Sequence, residues 1–146
     1  MTRTPSQTIG PFFHFSLCDR PANELTADGT RLFGRVLDGA GDPVNDALVE
    51  LWHPEVGFGR CQTDARGGFE FVVPEPSDRH FEVMVFARGL LRQVVTRVYF
   101  PNAEDVFLAS LDERDRSTLV ARAEGDGSLR FDVHLQGERE TVFFAV

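Results

Sequence analysis

From residue 31 onward the sequence is divided into short runs in which apolar and polar residues alternate, and clusters of Gly, Pro and Asp separate these runs. Alternation with a period of two places one set of side chains on each face of an extended strand. In the run 129–135, for example, Phe131 and Val133 share one face while Arg130 and Asp132 share the other. The pattern predicts strands at 31–37, 47–52, 69–73, 80–87, 94–100, 129–135 and 141–146.

A different pattern interrupts the strands between residues 102 and 124, where Leu119 and Val120 lie among charged residues. One or two short helices fit this segment best. Seven or more strands with evenly spaced turns and one helical interruption predict an all-β fold, a β-sandwich. At 146 residues the chain has the length of one domain, so we expect a single domain over residues 1–146.

Residues 1–28, which we call the N-terminal arm, show no period of either kind. The arm contains Phe12, Phe13 and Phe15, and such aromatic content is unusual for a disordered tail. We therefore expect an extended arm that is packed against another surface.

Every one of the 15 basic residues is arginine, and 23 acidic residues bring the net charge to −8. An acidic chain without a basic run lacks the positive surface that binds nucleic acid or an anionic membrane. The absence of lysine excludes a Schiff-base lysine and a P-loop lysine. Cys18 and Cys61 are too few for a disulfide framework, and no apolar run approaches the length of a membrane span. We expect reduced thiols and a cytoplasmic location.

The sequence contains no G-x-S-x-G, no G-x-G-x-x-G after a strand and no H-E-x-x-H, so hydrolase, dinucleotide and zinc-protease functions have no motif to support them. The four histidines lie far apart, and a metal site would have to be assembled by the fold. The best local pair is His80 with Glu82, because residues i and i+2 of a strand face the same way. A hydrogen-bonded or solvated pair is the commoner role for such residues.

Arg88 follows a predicted strand and precedes Gly89, a position where an arginine can bind an anion or form a surface ion pair. Both roles are open from the sequence. Asp38, Asp42 and Asp46 could be taken for calcium ligands, but their spacing departs from an EF-hand loop and lacks its closing glutamate. Turn formation is the simpler role for these three aspartates.

Several segments carry a family resemblance in the same order along nearly the whole chain: TPSQTIGPF (4–12), GRV (34–36), DPV (42–44), ALVELW (47–52), FARGLL (86–91), TRVYF (96–100), TLVA (118–121), RFD (130–132), QGE (136–138) and ETVFF (140–144). Together they resemble the intradiol ring-cleavage dioxygenases. The later segments are most similar to the alpha type of chain found in the heteromeric, protocatechuate-cleaving members of that family.

The resemblance implies a β-sandwich and a hetero-oligomer with a homologous beta subunit that holds Fe(III) on two tyrosinates and two histidines. In such an enzyme protocatechuate chelates the iron, and O2 opens the ring to give 3-carboxy-cis,cis-muconate. This chain has one tyrosine, Tyr99, which falls in the TRVYF segment, and the His-x-His pair of the catalytic chains is here His80-Phe81-Glu82. We therefore expect a subunit without its own complete iron site, whose cofactor lies on the partner beta subunit.

The resemblance also implies site residues for this chain. It assigns Gly10, Pro11 and Phe12 as part of the wall of the substrate pocket, which explains the aromatic arm as a surface packed on the partner subunit. It assigns Arg88 as a cation near the substrate carboxylate, a role that suits a planar and permanently charged donor. The segment between Trp52 and Gln62 and the segments 23–30 and 74–78 are expected to be short loops.

Two other functions are compatible with the same sequence. The chain could be a stand-alone β-sandwich of transthyretin-like type that acts as a binding or assembly module without catalysis. It could also be an independent metalloenzyme that uses His80, Glu82 and a distant histidine. The metal content of the isolated chain and the presence of a co-purifying homologue separate these functions from the subunit.

Overall fold

The computed structural model of the chain describes residues 3–10, 12–18 and 20–145. In chain order its elements are α1 (Phe13–Leu17), β1 (Thr30–Leu37), β2 (Leu48–His53), β3 (Gly57–Gln62), β4 (Gly68–Val73), β5 (His80–Phe86), β6 (Val94–Tyr99), α2 (Val106–Ser110), α3 (Glu113–Leu119), β7 (Arg122–Ala123), β8 (Leu129–Arg130) and β9 (Val133–His134). Within the described residues, no helix has the length and apolar character needed to cross a membrane.

The strands form two sheets. The first sheet has the order β4-β1-β8-β7, with β9 also paired to β1, and the second has the order β3-β2-β5-β6. Pairing in the second sheet is antiparallel throughout, whereas β8 and β9 run parallel to β1. The prediction of an all-β sandwich is confirmed.

The hydrophobic core lies between the two sheets. In β5 the side chains of Phe81, Val83 and Val85 are buried, and they belong to one cluster with Phe71 and Val36 of the first sheet. Burying a side chain of this size contributes roughly 1.5–3 kcal/mol. The intervening residues of β5 are half-buried on the outer face, as the period of two predicts. One face of β5 thus supplies the core and the other carries polar groups.

The single strand expected at 129–135 is instead two strands of two residues each, and this prediction is corrected. Between β8 and β9, the main-chain N–H of Phe131 donates to the carbonyl of Phe33 at 2.8 Å. The neighbouring N–H of Arg35 donates to Oδ1 of Asp132 at 3.1 Å. Because a side-chain carboxylate takes the place of a main-chain carbonyl, the regular ladder is interrupted at this point.

The segment expected as a short loop after Trp52 forms strand β3, which pairs antiparallel with β2. Its alternation is hidden in the sequence because Gly57 and Gly59 have no side chain to mark a face. Gly57 has a φ of 105°, a conformation that glycine adopts readily, and it allows the chain to turn directly from β2 into β3.

The tail 141–146, expected as a strand, forms in its described part a single antiparallel bridge, so this prediction is also corrected. Phe144 donates its N–H to the carbonyl of Val95 at 2.7 Å. The next hydrogen bond between β6 and the tail comes from the hydroxyl of Thr96, which donates to the carbonyl of Val142 at 2.7 Å. A side-chain donor has replaced the main-chain donor, and the ladder ends after one bridge.

The N-terminal arm contains helix α1, and its last part joins the edges of both sheets. The N–H of Arg60 in β3 donates to the carbonyl of Ala22 at 2.8 Å, and the N–H of Leu25 donates to the carbonyl of Val72 in β4 at 2.8 Å. The arm is therefore not extended over its whole length.

Candidate functional site

Arg88 lies at the end of β5, where the chain leaves the second sheet. The preceding residue, Ala87, is buried in the core, and Gly89 has a φ of 84° that turns the chain away. The Arg88 side chain is 57% exposed, and its Nε forms an ion pair with the nearly buried carboxylate of Asp46. A guanidinium has donors on three nitrogens, so a contact through Nε leaves the terminal nitrogens able to bind an anion. Both roles left open by the sequence are therefore compatible: an ion pair anchors the side chain, and its outer edge can receive a carboxylate.

The N-terminal arm reaches this turn. The N–H of Gly89 donates to Oγ1 of Thr8 at 2.9 Å. Gln7 and Ile9 line a cavity of about 130 Å³ together with residues on either side of the turn, among them Leu90 and Leu91. The structure thus brings the arm into contact with the residue that follows Arg88.

Of the four residues assigned to the substrate pocket, Arg88 directly precedes Gly89, whose N–H makes this contact. Gly10 is exposed and lies two residues after Thr8, and Phe12 is 71% exposed. Pro11 lies outside the described residues. The arm and the turn that contains Arg88 are adjacent in the fold although they are far apart in the sequence, because the Gly89 N–H just after β5 donates to Thr8.

His80 and Glu82 point to the same outer face of β5, as expected, but each has a different partner. Glu82 lies opposite Arg97 of β6, and its Oε1 is 3.0 Å from Nη2 of that arginine. Nη1 of Arg97 is 3.3 Å from the hydroxyl of Tyr99, which in turn donates to Oδ1 of Asp105 at 3.3 Å. A fixed cation therefore already neutralises the carboxylate that the sequence pairs with His80.

Burial raises the pKa of Tyr99 above its usual value, and the nearby charge and hydrogen bond of Arg97 offset part of that rise. Burial lowers the pKa of Arg97, but hydrogen bonds to Tyr99 and Glu82 outweigh burial, and the pKa of this guanidinium is raised overall. Tyr99 is thus a neutral hydrogen-bonding phenol near pH 7.

Asp78 connects two imidazoles at the start of β5. Its Oδ1 is 2.9 Å from Nε2 of the buried His53 and 3.3 Å from Nδ1 of His80. Nδ1 of His53 accepts the N–H of Glu55 at 3.1 Å, so Nε2 of His53 carries the proton and donates to Asp78. Nδ1 of His80 is also 3.4 Å from the main-chain carbonyl oxygen of Asp78.

These contacts test whether the chain could hold the metal that the family resemblance implies. Glu82 and Tyr99 are hydrogen-bonded to Arg97, both ring nitrogens of the buried His53 have hydrogen-bond partners, and the sequence contains one tyrosine. Among residues 3–10, 12–18 and 20–145, no group of three or more His, Cys, Asp or Glu side chains has the geometry of a metal site. The donors present do not fit the ferric ligand set of two tyrosinates and two histidines.

No protein-family model matches the sequence. The chain is 31% identical to the protocatechuate 3,4-dioxygenase alpha chain of Burkholderia cepacia, over an alignment of 194 positions that covers 100% of this chain and 98% of the relative. The chain belongs to the intradiol ring-cleavage dioxygenase family. Because this intradiol dioxygenase chain has 146 residues, the alignment also shows that the relative carries segments that are missing here.

The chain has two further similarities, one in sequence and one in fold. The chain is 27% identical to the protocatechuate 3,4-dioxygenase beta chain of Burkholderia cepacia, over 93% of this chain and 77% of that relative. Its fold is similar to the dioxygenase domain of a dioxygenase and carbohydrate-binding protein fusion from Streptomyces sp. SirexAA-E. That comparison has a TM-score of 0.60 at 23% identity and covers 92% of this chain and 99% of the other.

The outer face of the second sheet in this intradiol dioxygenase chain also carries two exposed aromatic residues, Trp52 and Phe58. They lie opposite each other on β2 and β3 and are 44% and 48% exposed. Arg60 has its guanidinium carbon 5.0 Å from the Phe58 ring centroid, while its Nε donates to Oε1 of the nearly buried Glu50 at 2.8 Å. Sequence reasoning missed this pair because β3 was expected to be a loop.

Proposed function

We propose that the chain is the alpha-type subunit of a protocatechuate 3,4-dioxygenase and lines the active site of an iron-bearing beta subunit. The complex would cleave protocatechuate with O2 to 3-carboxy-cis,cis-muconate in the cytoplasm. The full-length similarity to an alpha chain and the weaker similarity to a beta chain support this assignment. In the complex this chain supplies shape and charge, while the partner supplies the iron.

The observation that carries the proposal is the position of Arg88 beside the arm. Its guanidinium is anchored through Nε on Asp46, and its neighbour Gly89 is bonded to Thr8 of the arm. Protocatechuate is a benzoate, and its carboxylate is an acceptor for the remaining guanidinium donors. Gly10, Pro11 and Phe12 then form the wall against which the aromatic ring lies.

The assignment of Fe(III) to the beta subunit is supported by the side chains on the outer face of β5 and β6. The Glu82 carboxylate is paired with Arg97, and the Tyr99 phenol has a raised pKa. A guanidinium close to both groups disfavours a second cation at the same place, because like charges repel strongly where water is partly excluded.

Exposed aromatic side chains mark the surface that we assign to the partner. Phe12 in the arm and the pair Trp52 and Phe58 in the second sheet are large apolar groups that are in contact with water in the isolated chain. Adjacent exposed aromatics such as Trp52 and Phe58 are typical of protein interfaces. In our proposal the arm and this face pack on the beta subunit, within a single domain that spans residues 1–146.

We expect the chain purified alone to be colourless and free of iron, even after incubation with ferrous or ferric salts. Its complex with the homologous beta-type chain from the same source is expected to hold iron and to show the visible absorption band of tyrosinate bound to ferric iron. Metal analysis and absorption spectra of the two preparations, with the beta-type chain alone as the control, check this prediction.

Stoichiometric iron on the isolated chain would contradict the assignment and would make His80 and Glu82 the first residues to mutate. Failure to form any complex with an iron-bearing homologue would favour the stand-alone transthyretin-like module. The two failures are distinguishable because the first is measured on one chain and the second on the mixture.

A further inference from the structure

A groove rich in arginine lies on the first sheet, on the other side of the sandwich from β5. It is a cavity of about 540 Å³ between α3, the strands β7 to β9 and the turn before Thr141. We call it the arginine groove. Its charged and imidazole side chains are those of Arg114, Arg122, Arg130, Arg139, His134, Asp132 and Glu138.

The charges in the arginine groove are opposite in sign to those of the chain as a whole. Four guanidinium groups face two carboxylates there, whereas the chain carries a net charge of −8. Asp132 is committed to Arg130, with an Oδ2 to Nη2 distance of 2.9 Å. Arg122 is 69% exposed and lies 3.9 Å from the same oxygen, at the limit of an ion pair. The groove therefore has more positive charge than its own acidic residues neutralise.

His134 lies in the arginine groove, where its main chain is held by Thr141 through hydrogen bonds of 3.0 Å in both directions. Burial lowers the pKa of its imidazole, and the charge of Arg139 lowers it further, while Asp132 acts in the opposite direction. The other charged groups that line the groove around this ring are Arg114 of α3, Arg122 of β7, Arg130 of β8 and Glu138 in the turn. An anion placed among these groups would favour the protonated imidazole.

We propose that the arginine groove is a binding site for a small multivalent anion, either a phosphate or a polycarboxylate. Planar guanidinium groups bind both kinds of oxyanion through paired N–H donors. Arg122 and Arg139 would contact the anion directly, because neither is used in a close ion pair within the described residues. Arg130, held by Asp132, and Arg114, which donates to the carbonyl of Glu138, would define the base of the site.

A second cavity on the same sheet provides an internal comparison. It has a volume of about 390 Å³ and is lined by Arg31, Arg35 and Arg66, together with the Arg130–Asp132 pair that it shares with the arginine groove. Three carboxylates face them, and Arg31 forms an ion pair of 2.7 Å with Glu70. The positive excess is therefore smaller there, and Arg66→Ala is a suitable control for loss of an exposed arginine from this face of the molecule.

The test is a titration of the full chain with sodium phosphate and with citrate, at constant ionic strength kept by sodium chloride. Binding is measured by calorimetry and by the ring-proton NMR signals of His134, assigned with His134→Gln. We expect saturable binding, about tenfold weaker in the Arg122→Gln/Arg139→Gln double variant and unchanged in Arg66→Ala. Tighter binding of phosphate would identify a phosphate ligand, and tighter binding of citrate a polycarboxylate.

Sulfate is the probe for pH dependence, because its charge does not change between pH 5 and 8. Bound sulfate is expected to raise the pKa of His134, so sulfate should bind more tightly as the pH falls and the ring becomes protonated. Signal changes that grow linearly with added salt, or equal binding in the double variant and in the Arg66 control, would overturn the proposal.

Discussion

In the proposed complex with the beta subunit, replacing Arg88 with alanine is expected to raise the KM for protocatechuate by about 10- to 100-fold. The range corresponds to roughly 1.5–3 kcal/mol, the contribution of one hydrogen bond to a charged group. The substrate carboxylate is remote from the ring carbons that react, so the lost contact weakens substrate and transition state alike. We therefore expect kcat to change much less than KM.

Steady-state kinetics of the complex with protocatechuate check this prediction, together with a substrate analogue that lacks the carboxylate. The analogue should show little difference between the wild-type complex and Arg88→Ala. Arg66→Ala removes an exposed arginine from the turn between β3 and β4 and is the matched control for net charge. A KM for protocatechuate that is the same in Arg88→Ala and in Arg66→Ala would remove Arg88 from the substrate pocket.

The alanine variant also leaves the nearly buried carboxylate of Asp46 without its cation. A loss of folding could then be mistaken for a loss of binding. Arg88→Lys separates the two effects, because lysine keeps the charge beside Asp46 but lacks the planar set of donors that a carboxylate binds. An intermediate KM with an unchanged melting temperature is the expected result for Arg88→Lys.

The strands that the sequence predicts well are those whose two faces have different surroundings. β5 is one example, since Phe81, Val83 and Val85 are buried and the residues between them are half-buried. Its predicted bounds, 80–87, differ from the observed bounds by one residue. A strand that is buried on one face has alternating apolar and polar residues, and this alternation is visible in the sequence. Several strands of this kind predict the sandwich.

The elements that the sequence did not predict depend on contacts between distant residues. β3 is held by its pairing with β2 and by the N–H of Arg60 donating to Ala22, whereas its own glycines hide the alternation. The break at Asp132 depends on the N–H of Arg35, which lies 97 residues earlier. The alternation of apolar and polar residues does not show where a side chain replaces a main-chain hydrogen-bond partner.

The candidate site also combines features that the local sequence predicts with features that depend on contacts between distant residues. That Arg88 lies at a strand end and that His80 and Glu82 share a face are both readable from the sequence. The partners that decide their chemistry are Asp46, Asp78 and Arg97, which the fold brings from other segments. The proximity of Asp78 to His80 in the sequence is the one signal that could have found a partner in advance.

Replacing Gly34 with alanine is expected to destabilise the chain by about 3 kcal/mol or more, which lies at or above the upper end of the usual cost of overpacking. A Cβ at this position would lie 1.6 Å from the carbonyl oxygen of Phe131 and 3.1 Å from Cζ of Phe69. The first contact is with main chain, so no rotamer change relieves it. β1 would have to move away from residue 131 and lose the hydrogen bond from Phe131 to Phe33.

Gly125→Ala is the matched control, because a Cβ there would meet nothing within 4 Å. Both substitutions reduce the freedom of the unfolded chain equally, a stabilising effect of about 0.4–1 kcal/mol, so the difference between the two variants reports the contact with Phe131. Urea unfolding and thermal melting should show Gly125→Ala at or slightly above wild type and Gly34→Ala lower by roughly 10 °C, or insoluble. Equal stability of the two variants would mean that β1 and residue 131 are not in close main-chain contact. It would contradict the parallel pairing of β1 with β8 and β9 in the first sheet.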